Sequence, residues 1–153
     1  MRTTAIVSAL VLSLLASPAR VAHACGSYGG AFVQRSFALR TVHALMEHVR
    51  SRNTAAALAL LTPDAEQSAP YNGCCLPPRH AAAPWLSAHL ARRTLQLVGI
   101  RSTTPAPDGA QTTIVVDGRE NGVATTVTLT LVASADGQWR VQHIHAARAD
   151  VRA

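Results

Sequence analysis

The sequence contains no lysine: all 14 basic residues are arginine, against 8 acids. Aromatic residues make up only 4% of the chain, so there is little on which bases would stack. The arginines are spread singly along the chain instead of gathering in one basic stripe, as a nucleic-acid binder would have them. Nucleic acid is therefore not an expected partner, and the positive charge reads as solubility and surface ion pairing, with weak attraction to an anionic cell surface as its furthest consequence. A Gly-rich phosphate loop, a nucleophile elbow and a Ser-His-Asp order are all missing, so no cofactor is expected. Past the first 24 residues no run is apolar and long enough to span a bilayer.

The first 24 residues read as a secretory leader. Met1 and Arg2 form a positive start, Ala5 to Ala16 an uncharged apolar run, and Ala22-His23-Ala24 a small-x-small cleavage signal ahead of Cys25. The leader would be removed and would not stay as an anchor. The expected location is then periplasmic or secreted, with a lipid anchor on Cys25 as a minority alternative, because Ala22 and His23 fit a lipobox badly. Arg2 and Arg20 leave with the leader, so 12 arginines face 8 acids, a net of +4. The expected division is leader 1–24, flexible tether 25–30, one domain 31–147 and tail 148–153. That domain is large enough for one core and too small for two.

Helical periodicity runs from Ala31 to about Ser51, where Phe32, Phe37, Val42, Leu45, Met46 and Val49 fall largely at three- and four-residue steps. Asn53 suits an N-cap for a short helix over Thr54 to Leu61, closed by Pro63. Thr62 to Arg79 is rich in proline and reads as an irregular loop, or as one hiding a short strand. A third helix is expected from about Ala81 to Arg93, with Trp85, Leu86, His89 and Leu90 near one face and Pro84 in the first turn. Four strands follow: Thr94 to Ser102, Gln111 to Arg119, Val123 to Ala133 and Gln138 to Ala146. Asn121-Gly122 and Asp136-Gly137 mark short hairpins. In the third strand Val127, Leu129 and Leu131 alternate with Thr126, Thr128 and Thr130, giving one apolar and one hydroxylated face.

Helices ahead of a meander that ends Gly137-Gln138-Trp139-Arg140-Val141-Gln142-His143-Ile144-His145, with Ser51 to Ala65 as the second-helix region, resemble the nuclear transport factor 2-like, or SnoaL-like, superfamily. The resemblance covers roughly Arg35 to Ala147. It implies an α+β fold in which three helices pack in the concave face of a curved antiparallel sheet and leave a cone-shaped pocket. It also implies a homodimer and a small-molecule ligand. The superfamily's enzymes place different residues in that pocket, so no catalytic residue carries over. The tyrosine-and-carboxylate set of its ketosteroid isomerase branch has no match, since Tyr71 is the last tyrosine and lies in the unusual loop.

Two histidines carry the chemistry. Residues two apart on a regular strand share a face, so Trp139, Val141, His143 and His145 are expected to line the pocket together, with Trp85 opposite. His143 or His145 would then be the acid–base candidate, with Asp64, Glu66, Asp117 or Glu120 as the acid that orients it. The competing reading is an imidazole satisfied by a carbonyl or by its neighbour. His43, Glu47 and His48 do not have metalloprotease spacing. On a helix the two rings diverge by roughly 140°, so a surface pair of His43 with Glu47 is expected there and no metal.

Cys25, Cys74 and Cys75 are an odd number, so one cannot pair within the chain. In an oxidising compartment, a bond from Cys25 to one of the adjacent pair is the plain outcome. A thiol or metal role for Cys74 and Cys75, with His80, is the bolder one. Three functions follow from this: a noncatalytic binder of a small apolar or amphipathic ligand that also dimerises, an isomerase- or lyase-type enzyme using His143 or His145, and an envelope thiol or metal protein. The first is preferred on what the fold resemblance implies, together with the apolar strand faces and the scarcity of acids.

Overall fold

A computed structural model describes residues 27–69 and 78–149. The expected leader and its expected cleavage site at Ala24, the three cysteines and Tyr71 lie outside the described residues. Helix α1, Ser27–Ser51, buries Ala38, Val42, Leu45 and Val49, whose steps of four, three and four keep them on one stripe. It begins at Ser27 and takes in Gly29 and Gly30, where a tether was expected. Phe37 is not on the buried stripe: it is 46% exposed, with the Arg40 guanidinium 5.4 Å over its ring. Asn53 caps α2, Thr54–Ala59, by accepting from Ala56 N at 3.1 Å.

The segment expected as an irregular loop, or as one hiding a short strand, contains two strands, β1 (Leu61–Ser68) and β2 (Arg79–Ala81). Pro63 falls where the β1 ladder is interrupted, between the Leu61–Val141 and Glu66–His143 pairs, so its missing amide costs no hydrogen bond. Helix α3, Ala82–Arg92, buries Ala82, Leu86 and Leu90. Then come β3 (Leu95–Pro105), β4 (Gln111–Glu120), β5 (Val123–Ala133) and β6 (Trp139–Arg148). The sheet order is β2-β1-β6-β5-β4-β3, antiparallel throughout except that β1 runs parallel to β6. Asn121 and Gly122, both with positive φ, turn the chain between β4 and β5 as the Asn-Gly pair requires.

All three helices lie on the sheet face formed by Ile114, Val116, Val127, Leu129, Leu131, Val141 and Ile144, each at most 2% exposed. The opposite face carries Thr113, Val115, Thr126, Thr128 and Thr130, half-buried and with no helix of the described residues over them. This is the α+β architecture expected from the resemblance. No helix among the described residues is long and apolar enough to cross a membrane.

Candidate functional site

Strand β6 does not alternate regularly. Val141 pairs with Leu131 and His143 with Thr130, so Gln142 is an extra residue in the ladder. A bulge of this kind shifts the side-chain period by one. Trp139 and Val141 face the helices before it, and Ile144 and Ala146 face them after it. His143 and His145 therefore lie on the opposite, threonine-rich face, beside Thr130 and Thr128. The expected inward line of Trp139, Val141, His143 and His145 is broken at its midpoint. Sequence spacing assumes an unbulged strand, and no residue in this stretch marks the bulge.

On that outer face Ser68 joins the two rings. Its Oγ lies 3.1 Å from His143 Nε2 and 3.0 Å from His145 Nδ1. A hydroxyl has one proton, so it donates to one imidazole and accepts from the other. When one of the two rings is protonated, shifting each proton of the chain His143–Ser68–His145 one place moves the positive charge from one imidazole to the other. Glu66 neighbours His143 across the β1–β6 ladder and is held by Arg79 at 2.9 Å. Burial, the Arg79 charge and His145 all lower the pKa of His143 from its ordinary value, and Glu66 opposes them. A cleft of about 440 Å³ opens beside this group, lined by Asp64, Glu66, Arg79, Thr130, Gln142 and His143 among others.

Of the acids expected to orient a histidine, Glu66 neighbours His143 across the ladder and Asp64 lines the same cleft. Asp117 pairs with Arg101, and Glu120 lies 3.0 Å from His89 Nε2. Glu47 pairs with Arg50, not with His43. Among the described residues no three His, Cys, Asp or Glu side chains are placed to share a metal ion. His80 is exposed on β2, and its neighbours in the thiol reading, Cys74 and Cys75, lie outside the described residues.

The interior of the cone is nearly full. Trp85 lines it with Leu45, Leu86, Val127, Leu129 and Ile144, and the void they leave is only about 10 Å³. That is near the minimum for one water, and such an apolar space gives water no partner. A larger cavity of about 300 Å³ lies further out, between the ends of α1 and α3 and the first half of β3. Val49, Leu90, Leu95 and Leu97 form its apolar lining, joined by Val98, Gln96, Arg50, Arg52 and Arg93. Val49, Leu95 and Leu97 line both spaces and are the partition between them.

The two helices end here in the same way. Arg52 N bonds Val49 O and Asn53 N bonds His48 O after α1; Arg93 N bonds Leu90 O and Thr94 N bonds His89 O after α3. Both are Schellman endings, which need a left-handed residue just past the helix, usually glycine. Arginine holds that position in both, with φ 60° at Arg52 and at Arg93. Each costs about 1 kcal/mol relative to glycine. The second turn is braced: His89 Nδ1 lies 2.6 Å from Thr94 Oγ1, and Asn121 N donates to Thr94 O at 2.7 Å. A bulge in β3 between Leu97 and Gly99 turns Val98 onto the rim, where it is 67% exposed. In the sequence these arginines stand far apart, and the signal that links them is arginine, in place of glycine or asparagine, right after each helical pattern.

No protein-family model matches the chain, and no curated protein matches it significantly. Solved structures do. A nuclear transport factor 2-like protein of unknown function from Shewanella baltica is 10% identical with a TM-score of 0.59, over 80% of this chain and 96% of its own. A ketosteroid isomerase-like protein from Erwinia carotovora atroseptica is 12% identical with a TM-score of 0.56, over 75% and 95%. A nuclear transport factor 2-like protein with a cystatin-like fold from Novosphingobium aromaticivorans is 16% identical with a TM-score of 0.54, over 80% and 86%. At these identities the likeness defines the architecture: the chain has the nuclear transport factor 2-like fold.

Proposed function

We propose that the protein is a noncatalytic small-ligand-binding domain that works outside the cytoplasm. Its ligand occupies the cavity between the ends of α1 and α3 and strand β3. The observation that carries this is the cavity itself: about 300 Å³, within the range of small-molecule sites, with an apolar lining and a few polar groups at its rim. The secretory leader supports the location. Native mass spectrometry of the protein purified from its own cells tests the reading. An organic mass is expected on the wild type and not on Val98→Trp, which fills the cavity. Wild-type protein that carries no such mass and takes up no apolar probe would remove it.

Homodimeric assembly is the second part of this proposal. The half-buried β-branched side chains Thr113, Val115, Thr126 and Thr128 share a face that no helix among the described residues covers, and the fold resemblance supports pairing there. Light scattering should report a dimer that Val115→Arg converts to a monomer. A wild-type monomer at high concentration would remove this part.

The chain His143–Ser68–His145 beside the outer cleft favours a second reading, an acid–base enzyme. A neutral imidazole at His143 is suited to accept a proton from a substrate in the cleft, and Ser68 can pass the charge on to His145. Turnover found in a substrate screen, and lost in His143→Gln, would place this reading first. Turnover retained in that variant would dismiss it.

A further inference from the structure

We infer that the cavity between α1, α3 and β3 is specific for an amphiphilic anion, with its head held by Arg52 and Arg93 and an aliphatic body laid on Val49, Leu90, Leu95 and Leu97. This rests on the ligand-binding reading and adds the chemical class. Arg50, Arg52 and Arg93, far apart in the chain, meet at one cavity whose lining contains no acid. Arg50 is engaged by Glu47, whereas Arg52 and Arg93 form no ion pair among the described residues. Two unpaired guanidiniums over low-dielectric walls concentrate positive potential at the mouth, and a guanidinium takes a carboxylate through paired N–H donors.

A plainer role is to complement the negative ends of the helices. Other groups stand closer to fill that role: His48 lies in the last turn of α1, and Arg92 in the last turn of α3. The left-handed residue beyond each helix needs no charge, and glycine would take it without strain. An arginine that holds a strained backbone twice at one cavity, with its charge unused inside the protein, is accounted for by something that binds there. The exposed Val98 at the rim agrees with this, since it offers apolar surface that the folded chain does not cover. A 150 Å³ apolar cavity accepts benzene, so 300 Å³ admits roughly a dozen non-hydrogen atoms. Medium-chain aliphatic carboxylates match that size.

The test is calorimetric titration of the mature protein with sodium octanoate and with 1-octanol. Octanoate should bind at least tenfold more tightly, and added salt should weaken it. Arg52→Gly/Arg93→Gly should lose tenfold or more for octanoate while keeping its affinity for octanol and melting no lower than the wild type. Arg52→Lys/Arg93→Lys should recover part of the loss. Arg140→Ala, which removes a charge at the other end of the sheet, should bind as the wild type does. Equal affinity for octanol and octanoate, unmoved by the glycine variant, would overturn the anion assignment and leave the ligand-binding reading standing. Binding of neither probe would overturn both. A glycine variant that binds poorly because it melts well below the wild type would show that the arginines hold the helix ends, and would also overturn the assignment.

Discussion

Val141 and His143 stand two apart on β6 and point to opposite faces of the sheet, because Gln142 is an extra residue opposite the Leu131–Thr130 step. The bulge lets Val141 and Ile144 both reach the core while placing the two imidazoles on Ser68. Deleting Gln142 would remove the bulge and leave a regular strand in which Val141, Ile144 and Ala146 still face the core opposite the same β5 residues, so that variant should unfold near the wild-type urea midpoint. Inserting an alanine between His143 and Ile144 would instead turn Ile144 and Ala146 out of the core or slip the ladder to β5. Removing a buried isoleucine alone costs about 2–5 kcal/mol, so the insertion variant should unfold at markedly lower denaturant. An insertion variant with a urea midpoint within error of the wild type would mean that the register is not held at this point.

His143 makes stability depend on pH. Its folded pKa lies below the ordinary value of 6.5, so the folded state disfavours the charged ring. The sign follows from linkage: the contribution is fully present above the unfolded pKa and is lost as pH falls through 6.5 and on through the lower folded value. The melting temperature should fall between pH 7 and pH 5, and His143→Gln should flatten that slope. An unchanged slope in the variant would assign the acid sensitivity to other groups.

Thr112 is 1% exposed, opposite Leu131, and its Oγ1 has no hydrogen-bond partner among the described residues. A buried hydroxyl left unpaired costs about 1–3 kcal/mol, and valine has nearly the same shape. Thr112→Val should therefore raise the urea midpoint by an amount corresponding to about 1 kcal/mol. A drop would mean that the hydroxyl is satisfied in solution.

The three cysteines predict a thiol count. If Cys25 is bonded to Cys74 or Cys75, the denatured, unreduced mature protein should titrate as one free thiol per chain, rising to three after reduction. Three thiols before reduction would exclude the bond. Bound zinc lost in Cys74→Ser/Cys75→Ser would favour the metal role instead.

Local chemistry made much of the fold legible. The apolar steps of α1, the Asn53 cap, and the Asn121-Gly122 and Asp136-Gly137 turns act over a few residues. So does the alternation of β5, and each works the same way wherever the segment sits. Strand β1 was hidden because its partner, β6, is some 75 residues away, and only pairing with β6 makes an extended, proline-bearing segment worth ordering.

For the candidate sites, the order of residues supplied the chemical parts: two histidines one residue apart and an arginine after each of two helical patterns. Tertiary structure decided where those parts went. The bulge at Gln142 sent His143 and His145 to the outer face, because a ladder registers partner against partner and not residue against its own neighbours. Packing the ends of α1 and α3 against β3 brought Arg52 and Arg93 to one cavity, since burial of Val49 and Leu90 leaves the next residues no other place to emerge.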